Sequence, residues 1–300
     1  MNLKANQKLI LILPILAGAC WGFGGVFVRF LTAGGLNNLT ILSTRFIGAC
    51  AILFVGIVLF KRDLFKIKLK DLWIFVGSGL TGVMMLNICY NESILHSTLS
   101  LSAVLLSLAP IWALILSAII FKEKLTPKKI GCLIAAIFGC ILVTGILEGS
   151  NGQWSFYGIL FGLLSSVFWA LYGIFSKVAT ERGYSTYTII FYSFLLIAIV
   201  LIPFSDWSAF NAFIMADQVN NSVLAIMHSI INSVLPYLLF TLAIARVDAG
   251  KVSILCGGAE PTSAAIFGMI IFAEIPSILN IIGIIITIVA LSTLISLSEN

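Results

Sequence analysis

Ten apolar stretches follow one another along these 300 residues, each about as long as a helix needs to cross a bilayer. They cover roughly residues 8–31, 39–60, 72–94, 99–121, 130–147, 157–178, 186–203, 222–245, 252–273 and 278–297. A chain built this way must satisfy its backbone polar groups inside each segment, so spanning helices are expected. Residues that are 60% hydrophobic and only 10% charged exclude a soluble globular protein. A cleavable leader is not expected, because the first run continues past any small-residue site and nine more come after it. The six cysteines (20, 50, 89, 132, 140 and 256) all lie inside apolar runs and show no CxxC or metal spacing. They read as small packing residues.

The runs repeat. Pro110 to Glu123 reads PIWALILSAIIFKE, and 151 residues later Pro261 to Glu274 reads PTSAAIFGMIIFAE. Seven of the fourteen positions are identical, including the proline and the final glutamate. Trp21 and Arg29 are matched by Trp169 and Lys177 at an offset of 148. The chain therefore reads as two copies of one five-helix unit, residues 1–150 and 151–300, joined through the polar segment EGSNGQ.

The placement of basic residues sets the orientation. Of the seventeen Lys and Arg residues, fifteen fall at the N-terminus or at the ends of, or just after, the second, fourth, sixth and eighth runs. The other two, Arg29 and Arg45, lie inside runs. The basic side is cytoplasmic, so both termini are expected inside. Each copy has five spans, an odd number, so the second copy is inverted relative to the first. Inverted repeats place a site near the midplane between the halves and can exchange inward-open and outward-open states. A net charge of +5 dispersed between apolar runs offers no face for nucleic acid. Between the seventh and eighth runs, Trp207, Phe210 and Ile214 fall at helical spacing and read as a segment lying in the interface.

The duplicated pattern has a family likeness. A first helix of Trp-Gly type (Trp21-Gly22, with Trp169-Ala170 in the second copy), then a helix with a mid-helix proline and a terminal glutamate, then a glycine-containing helix, all twice, resemble the EamA family of the drug/metabolite transporter superfamily. The resemblance covers nearly the whole chain. It implies ten transmembrane helices and a cavity lined mainly by the first, third, fourth, sixth, eighth and ninth. It also implies export of small metabolites, often amino acids, from a multi-pass protein of the cell membrane. Uptake is the alternative within transport. A receptor, a lipid-handling protein or an embedded enzyme is the alternative outside it.

A few polar residues lie deep enough to matter. Glu260 stands about eight residues into the ninth run, directly before Pro261. An ionised carboxylate there is costly, so it is protonated, paired or in a wet cavity. It is the candidate coupling group, for protons or for a cationic part of the substrate. A glutamate before this proline also fits the second EamA repeat, and a hydrogen-bonded structural role is the other reading. Asn87 and Asn91 lie one turn apart on the third run with Tyr90 beside them, and His228 and Asn232 are spaced likewise on the eighth. Asn87, Tyr90, Asn91 and Asn232 could line a cavity or tie helices together. Trp21 and Trp169 could close the cavity or grip a cationic or aromatic group, or simply pack. Arg45 could pair with Glu92 or hold a substrate carboxylate, whereas Arg29 is expected to snorkel. Pro110 and Pro261 are expected to kink equivalent helices. Glu123 and Glu274 mark helix ends on opposite sides. Glycines 18, 22, 24 and 25 include a GxxxG that permits close helix approach. No P-loop, nucleophile elbow or metal-ligand cluster appears, so neither an enzyme, a cofactor nor a metal is expected.

Overall fold

The computed structural model describes residues 3–112, 115–116, 126–143, 147, 155–244 and 249–298. These form an all-helical bundle. In order come α1 (Leu3–Ala33), α2 (Asn38–Phe60), α3 (72–96), α4 (from Leu99, reaching Trp112), α5 (Pro127–Val143) and α6 (Phe156–Glu181). Next along the chain are α7 (Thr186–Leu201), the short α8 (Trp207–Ala216), α9 (218–244), α10 (Ala249–Phe272) and α11 (Ile278–Ser298). Eight of these are long and apolar enough to cross a membrane. The fourth and fifth runs are described only as the shorter apolar helices Leu99–Trp112 and Ile130–Val143. Glu123 lies outside the described residues.

Helix ends obey local chemistry. Asn37 caps α2 by accepting from Thr40 N, Thr98 caps α4 by accepting from Leu101 N, and Ser185 caps α7 by accepting from Tyr187 N. The segment expected at the interface is α8, capped by Asp206. The Ala209 backbone N–H, together with Ser208, holds the Asp206 carboxyl below the usual carboxylate range. That cap is therefore complete at neutral pH and is lost as the pH falls through the lowered value. One face of α8 packs through Phe213 against Phe27, Leu31, Leu36 and Ile41, which covers the turn between α1 and α2.

The packing of helices repeats when the two halves are exchanged. α1 lies on α10 as α6 lies on α4, and α3 lies on α6 as α9 lies on α1. α2 pairs with α7, and α5 with α11, across the same exchange. Small residues permit the closest of these approaches. Gly18 and Gly22 seat α1 on α10, where an added Cβ at Gly22 would stand 2.5 Å from Glu260 O and 2.9 Å from Ala264 N. At the same offset of 148, α6 carries Ser166 and Ala170, both buried, with Ser166 Oγ accepting from Trp112 Nε1 of α4 at 2.9 Å. Each apolar core cluster among the described residues draws side chains from both halves. The two halves of the chain therefore interlock.

Two helices are interrupted by π-helical turns, Gly77–Met84 in α3 and Ile230–Val234 in α9. Subtracting 151 from the second range gives 79–83, inside the first. The interruption thus falls at one place in both copies, as is common at functional sites. In α9 it precedes Pro236, which cannot donate to the carbonyl of Asn232 four residues back. The two expected kinks behave differently. The α4 ladder breaks into a turn at Ser107–Leu108, just before Pro110, whereas α10 runs on as a helix through Pro261.

Candidate functional site

Where α1, α6 and α9 meet, the two matched tryptophans touch. Trp21 and Trp169 approach edge to face with ring centroids 6.4 Å apart. Trp21 also packs on Tyr237 at 5.3 Å and on Phe240 at 6.0 Å, and Trp169 stacks on Tyr172 at 5.1 Å. Glu260, on α10, is half-buried and lies where α10 packs on α1 next to Trp21. Among the described residues its carboxylate has no hydrogen-bond or ion-pair partner. The Glu260 backbone is fixed instead: Gly18 and Gly22 press on it, and its carbonyl accepts from Ser263 Oγ at 3.0 Å. Trp21 and Trp169 are thus brought together, and the Glu260 backbone lies against α1 beside Trp21, whereas Tyr90 packs with Val26, Val28, Ile94 and Leu99. Tyr237, Phe240 and Tyr172 belong with the tryptophans and are not evident from the sequence.

The asparagines go elsewhere. Both Asn87 and Asn91 face α2. Asn87 Oδ1 accepts from Arg45 Nη1 at 2.8 Å, and Asn91 donates to Asn38 Oδ1 at 2.8 Å. Arg45 is buried and crosses to the other half of the chain, donating from Nε to Ser233 Oγ at 2.7 Å and from Nη2 to Asn232 O at 3.1 Å. The second bond satisfies the carbonyl that Pro236 leaves free. The Asn232 side chain turns to His228 Nε2 at 3.4 Å, and the His228 ring lies against Phe27 at 5.2 Å. Arg45 does not pair with Glu92, which accepts from Asn38 at 2.8 Å and faces His96 at 3.7 Å.

Removing the Asn87 acceptor leaves a buried guanidinium N–H unpaired. Asn87→Ala is expected to cost about 1–3 kcal/mol. A lowered midpoint of thermal unfolding in detergent checks this, and an unchanged midpoint contradicts the bonding described.

At the C-terminal end of α1, Arg29 does not snorkel. Its guanidinium pairs with Glu274 at 2.5 Å, donates to Ser97 O at 2.8 Å and covers the Phe272 ring at 4.6 Å. Glu274 also accepts from Leu99 N at 3.0 Å. This knot ties α1, α10 and the α3–α4 turn together. Beside it opens a cavity of about 470 Å³, lined by Leu95, His96, Ser97, Thr98, Phe272 and Glu274. It stands at the rim, apart from the aromatic cluster. On the opposite side, Asp71 accepts from Arg182 and, at 2.7 Å, from Tyr184, which ties the α2–α3 segment to the α6–α7 turn.

Comparison with known proteins agrees with this architecture. A family model described as the EamA-like transporter family matches residues 8–145 and again 156–296. An uncharacterized transporter of Archaeoglobus fulgidus is 32% identical over 184 residues, 61% of this chain and 63% of that protein. A second from the same organism is 24% identical over 94% of this chain and 96% of its own length. The pseudopaline exporter CntI of Pseudomonas aeruginosa is 28% identical over 44% of each chain. A crystal structure with 16% identity superposes with a TM-score of 0.59 over 98% of both chains, which shows the shared fold. With one match in each half and nearly the whole length covered, the chain belongs to the EamA-like transporter family.

Proposed function

We propose that this protein is a secondary transporter that exports small metabolites, amino acids among them, across the cell membrane by alternating access. Residues 1–150 and 151–300 act as inverted halves, and both termini are cytoplasmic. The observation that carries the reading is the central cluster: two repeat-matched tryptophans close on one another beside Glu260, a carboxylate without a partner among the described residues. A lone acid at this depth is a functional group by default. The exchange-related helix packing and the matching π turns support two copies that rock about a shared site. The Arg29–Glu274 knot fits a tie that closes the outer end in one state and is released in the other. The likeness to a pseudopaline exporter supports the outward direction.

Within the cluster, Trp21 and Trp169 cover an apolar or cationic part of the solute. Glu260 takes the solute's ammonium or a coupling proton. Solute counterflow in proteoliposomes tests this directly. Vesicles preloaded with a mixture of amino acids and other metabolites are expected to take up trace labelled solute faster than protein-free vesicles. Exchange of no solute would move the protein to the receptor, lipid-handling or embedded-enzyme readings.

A further inference from the structure

Arg45 holds the least expected charge in the bundle. It lies seven residues into α2, about 10 Å along the helix from its outer end. All three of its hydrogen bonds go to neutral acceptors: Ser233 Oγ, Asn87 Oδ1 and Asn232 O. A guanidinium carries five N–H donors, so two are left without an acceptor among the described residues. No carboxylate pairs with it there, since Glu92 is engaged by Asn38 and His96 and Glu274 by Arg29. Of the other ionisable side chains packed nearby, His228 is basic and Tyr237 is a neutral phenol, so neither supplies a negative charge. Filling the carbonyl freed by Pro236 needs a donor but no charge. Buried charges are ordinarily paired, and this one lacks a counter-ion within the described chain.

Its neighbours connect it to the aromatic cluster. Ser233 and Asn232 belong to the π turn of α9. Tyr237, one turn beyond Ser233, packs on Trp21 at 5.3 Å. A movement of α9 against α2 would free the guanidinium edge that now faces α9.

Resting on the transporter reading above, we propose that Arg45 is the anion subsite of the transport cavity and seats a carboxylate group of the solute. The carboxylate replaces the neutral acceptors of α9 with a bidentate, charge-assisted pair. Recognition of the carboxylate is then coupled to the position of α9.

Counterflow with matched probes tests the assignment. Leucine, phenylalanine, lysine and glutamate are compared with their C-terminal amides, and with simple amines and nucleobases, as competitors. Wild-type protein is expected to favour acids over amides by at least about tenfold, the strength of a charge-assisted contact. Arg45→Lys keeps the charge but loses the planar fork, and should bring that ratio to within about threefold. Arg45→Gln should erase the ratio in whatever protein folds. Equal competition by acids and amides in the wild type overturns the subsite, as does a full acid preference retained in Arg45→Lys. Exchange confined to solutes without a carboxylate overturns the subsite and leaves the transporter reading standing. Exchange of no probe overturns both.

Discussion

Gly22→Val is expected to abolish transport and to leave little folded protein. An added Cβ at this position would lie 2.5 Å from the Glu260 carbonyl oxygen and 2.9 Å from Ala264 N. Both are helix backbone, which cannot turn aside as a side chain can. Overpacking a tight interface costs about 1–3 kcal/mol when neighbours can shift, and more when they cannot. Separating α1 from α10 would also displace Trp21 from Trp169 and loosen the seat of Glu260. Gly56→Ala is the matched control, because nothing stands within 4 Å of its added Cβ in the interior of α2. It should be neutral or stabilising, by up to about 1 kcal/mol. Expression, monodispersity in detergent and counterflow read the difference. A well-folded, active Gly22→Val protein would mean that α1 and α10 do not meet as described.

Glu260→Gln should leave counterflow intact and remove its response to a pH gradient. Glutamine keeps the size and hydrogen-bonding capacity of the side chain but does not titrate. If the carboxylate is protonated in one state and hydrated and ionised in the other, a proton gradient biases the balance between them. The bias is limited by the difference in proton affinity of the two states. One pH unit is worth about 1.4 kcal/mol per proton, so a one-proton coupling changes solute accumulation by at most about tenfold. With the outer side acidic, wild-type export should accelerate and Glu260→Gln export should not. Loss of solute binding in the variant would instead assign Glu260 to direct contact with the solute. Wild-type affinity together with a wild-type gradient response would make it structural.

Legibility in the chain depended on distance along it. The apolar runs located the eight long helices among the described residues to within about five residues, because a lipid-spanning helix is written locally; parts of the fourth and fifth runs lie outside the described residues. The repeat pointed to Trp21 and Trp169 as equivalents, and the structure brings them into contact. The GxxxG at Gly18 and Gly22 marked a close approach without saying that α10 is the partner. Partners far apart in sequence were not legible. Arg29 and Glu274 are separated by 245 positions, and Arg45 and Ser233 by 188. The π turns account for further gaps. Each extra residue rotates the remainder of its helix by about 100° relative to a regular one. Face assignments drawn with a constant period through α3 and α9 therefore drift, and Tyr237 reaches Trp21 although its spacing from Asn232 does not suggest it. Asn87 and Asn91 come after the π turn of α3 and keep their mutual face, but that face meets α2 rather than the aromatic cluster. Tyr237 did carry one available signal, its place directly after Pro236 in an otherwise apolar helix.

The central claim is that two inverted copies enclose one site, and membrane topology tests it most directly. Single cysteines are placed in a cysteine-free background at Ser150, Gln218, Lys66, Thr126 and Arg182, and intact cells are treated with a membrane-impermeant maleimide. The account predicts labelling from outside at Ser150 and Gln218, and labelling at Lys66, Thr126 and Arg182 only after the membrane is opened. Outside labelling at Lys66 or Arg182 in sealed cells would reverse the orientation or break the odd count of spans per half, and the inverted repeat would fall with it.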